Sequence, residues 1–287
     1  MSSAVARAVE AAAPEPIVWI RPARGWSLAN LGELWRYREL IYFLIWRDVK
    51  VRYKQTLLGA AWAILKPFLS MVVFTVIFAG LARLATDGVA PPVFYFSGLL
   101  PWVLFQDGVT KAGNSLVASS NLITKVYFPR MAIPLALVVS GIVDFALSFL
   151  VLLAMVAYYG IHLTPAAWLI PLFLALALLA SLGVGFWLAA LNVAYRDVGY
   201  LTPFLVQAWM YASPVVYSTT LIPEGLGRVL FGLNPMAGVV QGFRWAIVGA
   251  GAPPIGLLVA SLVVGVLLLV SGALVFRRME RYFADIV

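Results

Sequence analysis

The sequence has few charged residues, no cysteine and a single histidine. Only 11% of its 287 residues are charged and 63% are hydrophobic, whereas a soluble domain carries about 25% charged residues. Such a chain cannot build a water-soluble surface, so the composition predicts a multi-span helical membrane protein. The lack of cysteine excludes disulfides and thiol nucleophiles, and His162 alone cannot build a His-rich metal site. These absences exclude much enzyme chemistry, and we expect no metal site in this chain.

The first part of the chain is polar and rich in proline. Residues 1–26 hold no apolar stretch long enough for a signal-peptide core, which predicts a disordered cytoplasmic tail. Residues 27–56 then predict an amphipathic helix and a basic connector, because Asn30 and Glu33 form a capping-box pattern and apolar side chains recur on one helical face. Two interpretations stay open: a helix at the membrane surface, or a helix docked on the protein's own spans.

Long apolar runs predict an all-α membrane domain over residues 57–287. The runs lie at about 57–82, 93–110, 132–159, 167–191, 201–217 and 255–276, and each is near the roughly 20 residues that cross a bilayer. Between residues 218 and 254, proline and glycine cut the apolar sequence into two pieces that are too short to cross. We interpret Leu226–Leu233 and Pro235–Gly249 as re-entrant helices that form an outer gate.

The basic residues predict the orientation. Of the 20 Lys and Arg residues, 17 fall on the side of both termini, and only Arg83, Arg228 and Arg244 fall on the other. By the positive-inside rule, we expect both termini in the cytoplasm. The net charge of +8 is therefore explained by topology and by anionic lipids rather than by a nucleic acid.

Two carboxylates lie in or near predicted spans. Asp107 and Asp144 would each cost about 2.5–3.5 kcal/mol at mid-bilayer, so they need partners or a wet cavity. One interpretation is an ion-coupled secondary transporter in which they titrate, and another is a hydrogen bond at a helix or subunit interface. A membrane-embedded enzyme is disfavoured, because no acid–base or metal spacing accompanies them.

Three predicted cytoplasmic segments combine basic and aromatic residues. They are Trp46–Thr56, Asn121–Arg130 and Asn192–Val198, and such segments either dock a soluble partner or anchor the protein at the interface. Together with the six predicted spans, the Gly25-Trp26 and Glu33-Leu34-Trp35 stretch, Pro203 and Ser213-Pro214-Val215, they resemble the membrane subunits of type-2 ATP-binding-cassette polysaccharide exporters. Lys66-Pro67 differs from the Gln-Pro expected in that family.

The resemblance implies a partner that supplies energy. No G-x-x-x-x-G-K-[ST] loop is present in the chain, so ATP and Mg²⁺ would bind a separate ATPase subunit. The family works as a homodimer of the membrane subunit with two ATPase subunits. It exports lipid-linked O-antigen, capsule or teichoic-acid chains, and O-antigen export is the function that we expect here.

Three sets of site residues follow from the resemblance and from side-chain chemistry. Coupling to the ATPase is assigned to Asn121, Leu122, Lys125, Tyr127, Phe128, Pro129, Arg130, Tyr195, Arg196 and Asp197. Capture of the lipid headgroup is assigned to Arg47, Lys50, Arg52 and Lys54, since arginine offers paired donors to a phosphate. Lining of the polymer path is assigned to the aromatic residues Tyr95, Trp102, Phe105, Trp187, Trp209, Tyr211 and Tyr217, which equally suit helix packing or interfacial belts.

Overall fold

The chain folds into a bundle of helices in a computed structural model. The structure describes residues 31–54, 59, 61–125, 127–222, 231–250, 252–281 and 283, and these residues contain no β-strand. An all-α fold is therefore confirmed for the described part. The predicted tail, residues 1–26, lies outside the described residues, as does most of the predicted helix Leu226–Leu233.

The α-helices are numbered in chain order. They are α1 (Leu31–Arg36), α2 (Arg38–Lys54), α3 (Ala61–Phe74), α4 (Pro91–Ala118), α5 (Ser120–Lys125), α6 (Ala132–Tyr158), α7 (Ile170–Ala194), α8 (Asp197–Tyr211), α9 (Pro235–Val248) and α10 (Ile255–Glu280). A π-helix, Thr75–Leu81, continues α3, and a 3₁₀-helix, Pro165–Leu169, precedes α7.

Four helical segments of the described chain are long and apolar enough to cross a membrane. They are Ala61–Leu81, Ala132–Tyr158, Pro165–Ala194 and Ile255–Glu280. Of the other two predicted spans, α4 has 28 residues but carries Asp107 and Lys111, and α8 has only 15 residues. The count of six spans therefore stays a prediction that depends on α4 and α8 being shielded inside the bundle.

Helix α2 packs along α6 instead of standing apart from the bundle. Asp48 and Arg52, one turn apart, meet Ser140 and Asp144, which are also one turn apart. The two helices therefore run side by side in the same direction. Of the two interpretations of residues 27–56, this arrangement favours the helix docked on the protein's own spans.

Helix α4 lies at the centre of the bundle and packs against α3, α6, α7, α8 and α9. Helix α7 packs against α4 on one side and α10 on the other. The contact with α10 is close because glycines face it: a Cβ at Gly183 would lie 2.7 Å from the backbone nitrogen of Leu269. These close approaches are possible only without side chains at the contact points.

Two hydrophobic clusters define the two ends of the bundle. The smaller one joins α2 to the connector of residues 120–131 and to the last turns of α7 and α10, through Leu44, Phe128 and Phe276. We call this the connector end. The larger cluster fills the middle and the opposite end, where α4 meets α9.

Helix α9 has the short length that the sequence predicted. It spans 14 residues, Asn234 caps its first turn by accepting a 3.0 Å hydrogen bond from the Met236 backbone N–H, and Gly249 ends it at a positive φ of 70°. Asn234 also accepts a 3.1 Å hydrogen bond from the indole of Trp209 on α8. The start of α9 is therefore fixed to the end of α8, and its re-entrant position stays a prediction.

Candidate functional site

A cluster of charged residues joins α2, α4 and α6. The carboxylate of Asp144 on α6 accepts hydrogen bonds from the Arg52 guanidinium and the Tyr53 hydroxyl, both on α2. Lys111 of α4 lies 3.7 Å from the same carboxylate. Arg52 also pairs with Asp48 one turn away. Asp144 therefore has partners on two other helices, as a carboxylate within the bundle requires.

Tyr53 keeps its proton over the physiological range. Burial, together with the hydrogen bond to Asp144, raises the pKa of Tyr53 to about 12. The phenol therefore remains a hydrogen-bond donor to the carboxylate. Deprotonation of Tyr53 therefore does not weaken the contact between α2 and α6 near neutrality.

A second ion pair joins α3 to α4. Lys66 Nζ lies 2.6 Å from Asp107 Oδ1, and these side chains are 49% and 32% exposed. The pair borders a cavity of about 400 Å³ that also reaches Arg52 and Asp144. Its remaining walls are formed by α3, α4 and α6, through Trp62, Leu100, Val103, Leu104, Gly141, Phe145 and Ser148.

The four basic residues predicted to capture a headgroup do not act as one group. Arg47, Lys50 and Lys54 are exposed on α2, whereas Arg52 is partly buried and paired with carboxylates. A helix separates residues five positions apart by about 140°, which explains why Arg47 and Arg52 face different surroundings. The headgroup role of the three exposed residues stays a prediction.

The connector between α4 and α6 is not one continuous helix. The segment Asn121–Arg130, which contains residues assigned to ATPase coupling, is helical only as far as Lys125, where α5 ends. The backbone then becomes irregular, because Phe128 precedes Pro129 and a residue before proline disfavours the α conformation. Arg130 fixes the connector to the last helix: its backbone N–H and guanidinium both donate to Glu280.

Neighbouring aromatic residues of the connector have opposite surroundings. Tyr127 is 65% exposed, whereas Phe128 is 5% exposed and packs in the cluster at the connector end. Phe128 therefore stabilises the fold. Tyr127, Asn121 and Lys125 are exposed and could contact a partner, whereas Leu122 is half-buried. The coupling role of these four residues stays a prediction.

The segment Tyr195–Asp197 is exposed between α7 and α8. Its position is set by buried Asn192, whose amide donates 3.0 Å hydrogen bonds to the Gly113 carbonyl and to Asn114 Oδ1. The side-chain oxygen of Asn192, Oδ1, accepts a 3.0 Å hydrogen bond from the Gly199 backbone N–H. Asn192, which we did not predict as a site residue, therefore ties this segment to α4.

Three of the aromatic residues predicted to line a polymer path lie in the core. Tyr95, Trp102 and Phe105 are 0% exposed, because α4 lies at the centre of the bundle and five other helices pack against it. Phe105 packs edge-on against Trp209 with ring centres 5.2 Å apart. In this conformation the three α4 residues are core residues, and a lining role for them stays a prediction.

The other predicted lining residues lie nearer the surface. Tyr211 is 52% exposed, and Trp209 and Tyr217 are half-buried. Trp187 lies between α7 and α10, where its indole donates a 3.1 Å hydrogen bond to Ser271 Oγ. A lining role for these four residues stays a prediction.

Arg244 is the most deeply buried cation of the described chain, at 0% exposure. Its guanidinium carbon lies 3.7 Å from the centre of the Phe94 ring, and its nitrogens donate to the carbonyl oxygens of Phe94 and Val215 at 3.3 and 3.1 Å. Gly98 leaves room for it, since a Cβ there would collide with the guanidinium. Arg244 therefore connects α9, α4 and the Ser213–Ser218 segment.

Among the described residues, no group of three or more His, Asp or Glu side chains is placed to hold a metal ion. The charged cluster is instead a set of ion pairs between helices. Its sequence signal was Asp107 and Asp144 within apolar runs, and nothing in the sequence identified Lys111 as their neighbour.

Comparison with known proteins decides the family. Residues 39–248 match the ABC-2 type transporter family, which is more than half of the chain. The chain belongs to this family. Membership confirms the resemblance drawn from the sequence motifs and makes the chain a transporter membrane subunit.

Individual relatives extend over nearly the whole chain. The O-antigen export system permease protein RfbA of Myxococcus xanthus is 31% identical over 254 residues, which cover 88% of this chain and 97% of that protein. A Klebsiella pneumoniae protein of the same name is 28% identical over 261 residues, covering 90% and 97%. The polysialic acid transport protein KpsM of Escherichia coli is 22% identical over 207 residues, covering 71% and 79%.

Proposed function

We propose that this chain is the membrane subunit of an ATP-driven exporter that moves a lipid-linked polysaccharide, an O-antigen, across the bacterial inner membrane. The observation that carries the proposal is the similarity to O-antigen export permeases over 88% of this chain and 97% of the Myxococcus protein. The similarity to a polysialic acid transport protein supports the broader class of polysaccharide substrates.

The energy comes from a separate ATPase subunit. This proposal is supported by the lack of a P-loop in the sequence and by the exposed segments at the connector end. Tyr127, Tyr195 and Arg196 are exposed. Arg130 fixes the segment of Tyr127 to α10, and Asn192 fixes the segment of Tyr195 and Arg196 to α4. Movement of a docked ATPase would therefore reach the long helices directly.

Two copies of the chain form the path, together with two ATPase subunits. A hydrated polymer cannot enter hydrocarbon, so its passage needs a protein-lined path, and a symmetric pair of chains supplies one between them. The family resemblance supports the same assembly.

The connector end faces the cytoplasm. The distribution of basic residues, 17 on this side and 3 on the other, supports this orientation. In this arrangement α4 and α8 complete the six spans, and α9 re-enters the membrane from the outer side. Arg47, Lys50 and Lys54, exposed on α2, would then meet anionic headgroups at the cytoplasmic leaflet.

An ion-coupled secondary transporter is not favoured. Its sequence support was the pair Asp107 and Asp144, but both carboxylates lie beside cations from other helices. These contacts explain why the chain tolerates two carboxylates among its helices without a transport role for either.

Removal of this chain from its host tests the proposal. We expect lipid-linked glycan to accumulate in the cytoplasm. A strain in which the Walker motif of the partner ATPase is inactivated should show the same accumulation. Restoring the wild-type chain should clear it. Normal export of every surface glycan in the deletion strain would refute the proposed function.

A further inference from the structure

We propose that the cavity beside Lys66 and Asp107 is a binding subsite for sugar units of the exported polymer. The inference rests on the proposed function. It places the contact with the exported polymer at residues other than the buried aromatic residues of α4. The subsite consists of Trp62 and Lys66 on α3 and Asp107 on α4.

The first argument is the exposure of a charged pair within the length of the spans. Lys66 belongs to the candidate membrane span Ala61–Leu81, and its side chain is 49% exposed while that of Asp107 is 32% exposed. Charged side chains within membrane spans face protein or a water-filled cavity. The surface that carries this pair therefore faces water or protein instead of lipid.

The exposed side of α10 provides the contrast. Between Leu262 and Val270, its exposed side chains away from the cavity near Asp87 are all large and apolar, namely Leu262, Val266, Leu267 and Val270. Such a surface suits lipid. This stretch of α10 therefore exposes no charge, whereas the surface beside α3 and α4 exposes Lys66 and Asp107, and a polymer path belongs with the second.

The chemistry of the cavity suits a sugar. The Asp107 carboxylate accepts hydrogen bonds and the Lys66 ammonium donates them, and the two groups lie 2.6 Å apart. Adjacent hydroxyls of one sugar, which both donate and accept, can therefore hydrogen-bond to both groups. Trp62 is 54% exposed and offers an apolar ring face to the C–H face of a sugar. The cavity of about 400 Å³ has room for such a unit.

The ion pairs argue against a phosphate in this cavity. Each of the three cations that line it, Arg52, Lys66 and Lys111, lies within 4.0 Å of the carboxylate of Asp107 or Asp144. An anion would have to displace carboxylates from their cations. A neutral ligand with many hydroxyls only has to join hydrogen bonds that are already present.

Thiol labelling tests the subsite, because the chain has no cysteine of its own. Trp62→Cys leaves the ion pair intact, and Lys66→Cys is the second variant. Leu267→Cys, at a 62% exposed position on the apolar side of α10, is the matched control. Each variant is purified with its ATPase partner in lipid nanodiscs and treated with a charged methanethiosulfonate. A charged reagent avoids hydrocarbon, so we expect labelling at Trp62→Cys to be about tenfold faster than at Leu267→Cys.

Protection identifies the occupant. We expect lipid-linked glycan extracted from the host membranes to slow labelling at Trp62→Cys about threefold or more, because an occupied pocket excludes the reagent. The same lipid carrier without glycan should have no effect. Equal protection by the bare carrier would assign the cavity to a headgroup and overturn the proposal. Fast labelling without protection, or labelling as slow as that of Leu267→Cys in both variants, would also overturn it. Export by the wild-type complex is measured in parallel, so that failure of the subsite is distinguished from failure of the proposed function.

Discussion

The hydroxyl of Ser148 on α6 donates a 2.8 Å hydrogen bond to the carbonyl oxygen of Ala63 on α3. In an α-helix this carbonyl would accept from the N–H of residue 67, but Pro67 has none. Ser148 is buried and replaces the missing donor. A proline within α3 is therefore tolerated because a neighbouring helix satisfies the carbonyl that it leaves open.

Ser148→Ala tests this relationship. We expect a loss of about 1 kcal/mol in stability, the usual net value of one hydrogen bond, measured as a lower midpoint of thermal unfolding in detergent. In a Pro67→Ala background the loss should shrink, because residue 67 then supplies its own N–H to Ala63. Equal losses in both backgrounds would show that the two residues are not coupled.

Tyr127→Ala and Phe128→Ala should separate coupling from folding. Phe128 is buried, so its truncation should destabilise the protein by about 3–5 kcal/mol. Tyr127 is exposed, so its truncation should leave the unfolding midpoint nearly unchanged while lowering the glycan exported per ATP hydrolysed. Normal coupling in Tyr127→Ala at matched membrane abundance would argue against a coupling role for this side chain.

Asn192→Ala should release the Tyr195–Asp197 segment from α4. It leaves the Gly113 carbonyl and the Gly199 N–H without their side-chain partner, at a cost of about 1–3 kcal/mol for a buried group. The control is Asn114→Ala, which removes the bond between the two asparagines and the Asn114 bond to the Thr110 carbonyl but keeps the bonds of Asn192 to Gly113 and Gly199. We expect weaker co-purification of the ATPase with Asn192→Ala than with Asn114→Ala. The same yield from both variants would contradict the positioning role of Asn192.

Gly98→Ala should disturb the contact between α4 and α9. The added Cβ would collide with the Arg244 guanidinium and lie 3.2 Å from the Val215 carbonyl oxygen, so we expect destabilisation of about 1–3 kcal/mol. Gly256→Ala is the control, since nothing lies within 4 Å of a Cβ there. Equal unfolding midpoints of the two variants would show that Arg244 can move away without cost.

The apolar runs predicted helices well and their packing poorly. The run at 132–159 matches α6, Ala132–Tyr158, because an uncharged stretch of that length fits one long helix. Helix α4 extends to Ala118, beyond the predicted end at 110, since Asp107 and Lys111 interrupt hydropathy but not helix formation.

Contacts between distant residues left no pattern in the sequence. Arg52 and Asp144 are 92 positions apart, and hydropathy predicted only that Asp144 needs a partner. The burial of Trp102 was equally hidden, because an apolar stretch without periodicity does not reveal which side faces the core. The proline at position 67 indicated that a carbonyl would be open, but not that Ser148 would satisfy it.

The central claim is that hydrolysis of ATP by a partner drives a glycan through a path built from this chain. The most direct measurement uses inverted membrane vesicles that contain the chain and its ATPase, to which radiolabelled lipid-linked glycan is added. We predict that the glycan becomes resistant to added glycosidase only when ATP is hydrolysed, and that a protonophore has no effect. Resistance that develops without ATP and is abolished by the protonophore would contradict the account.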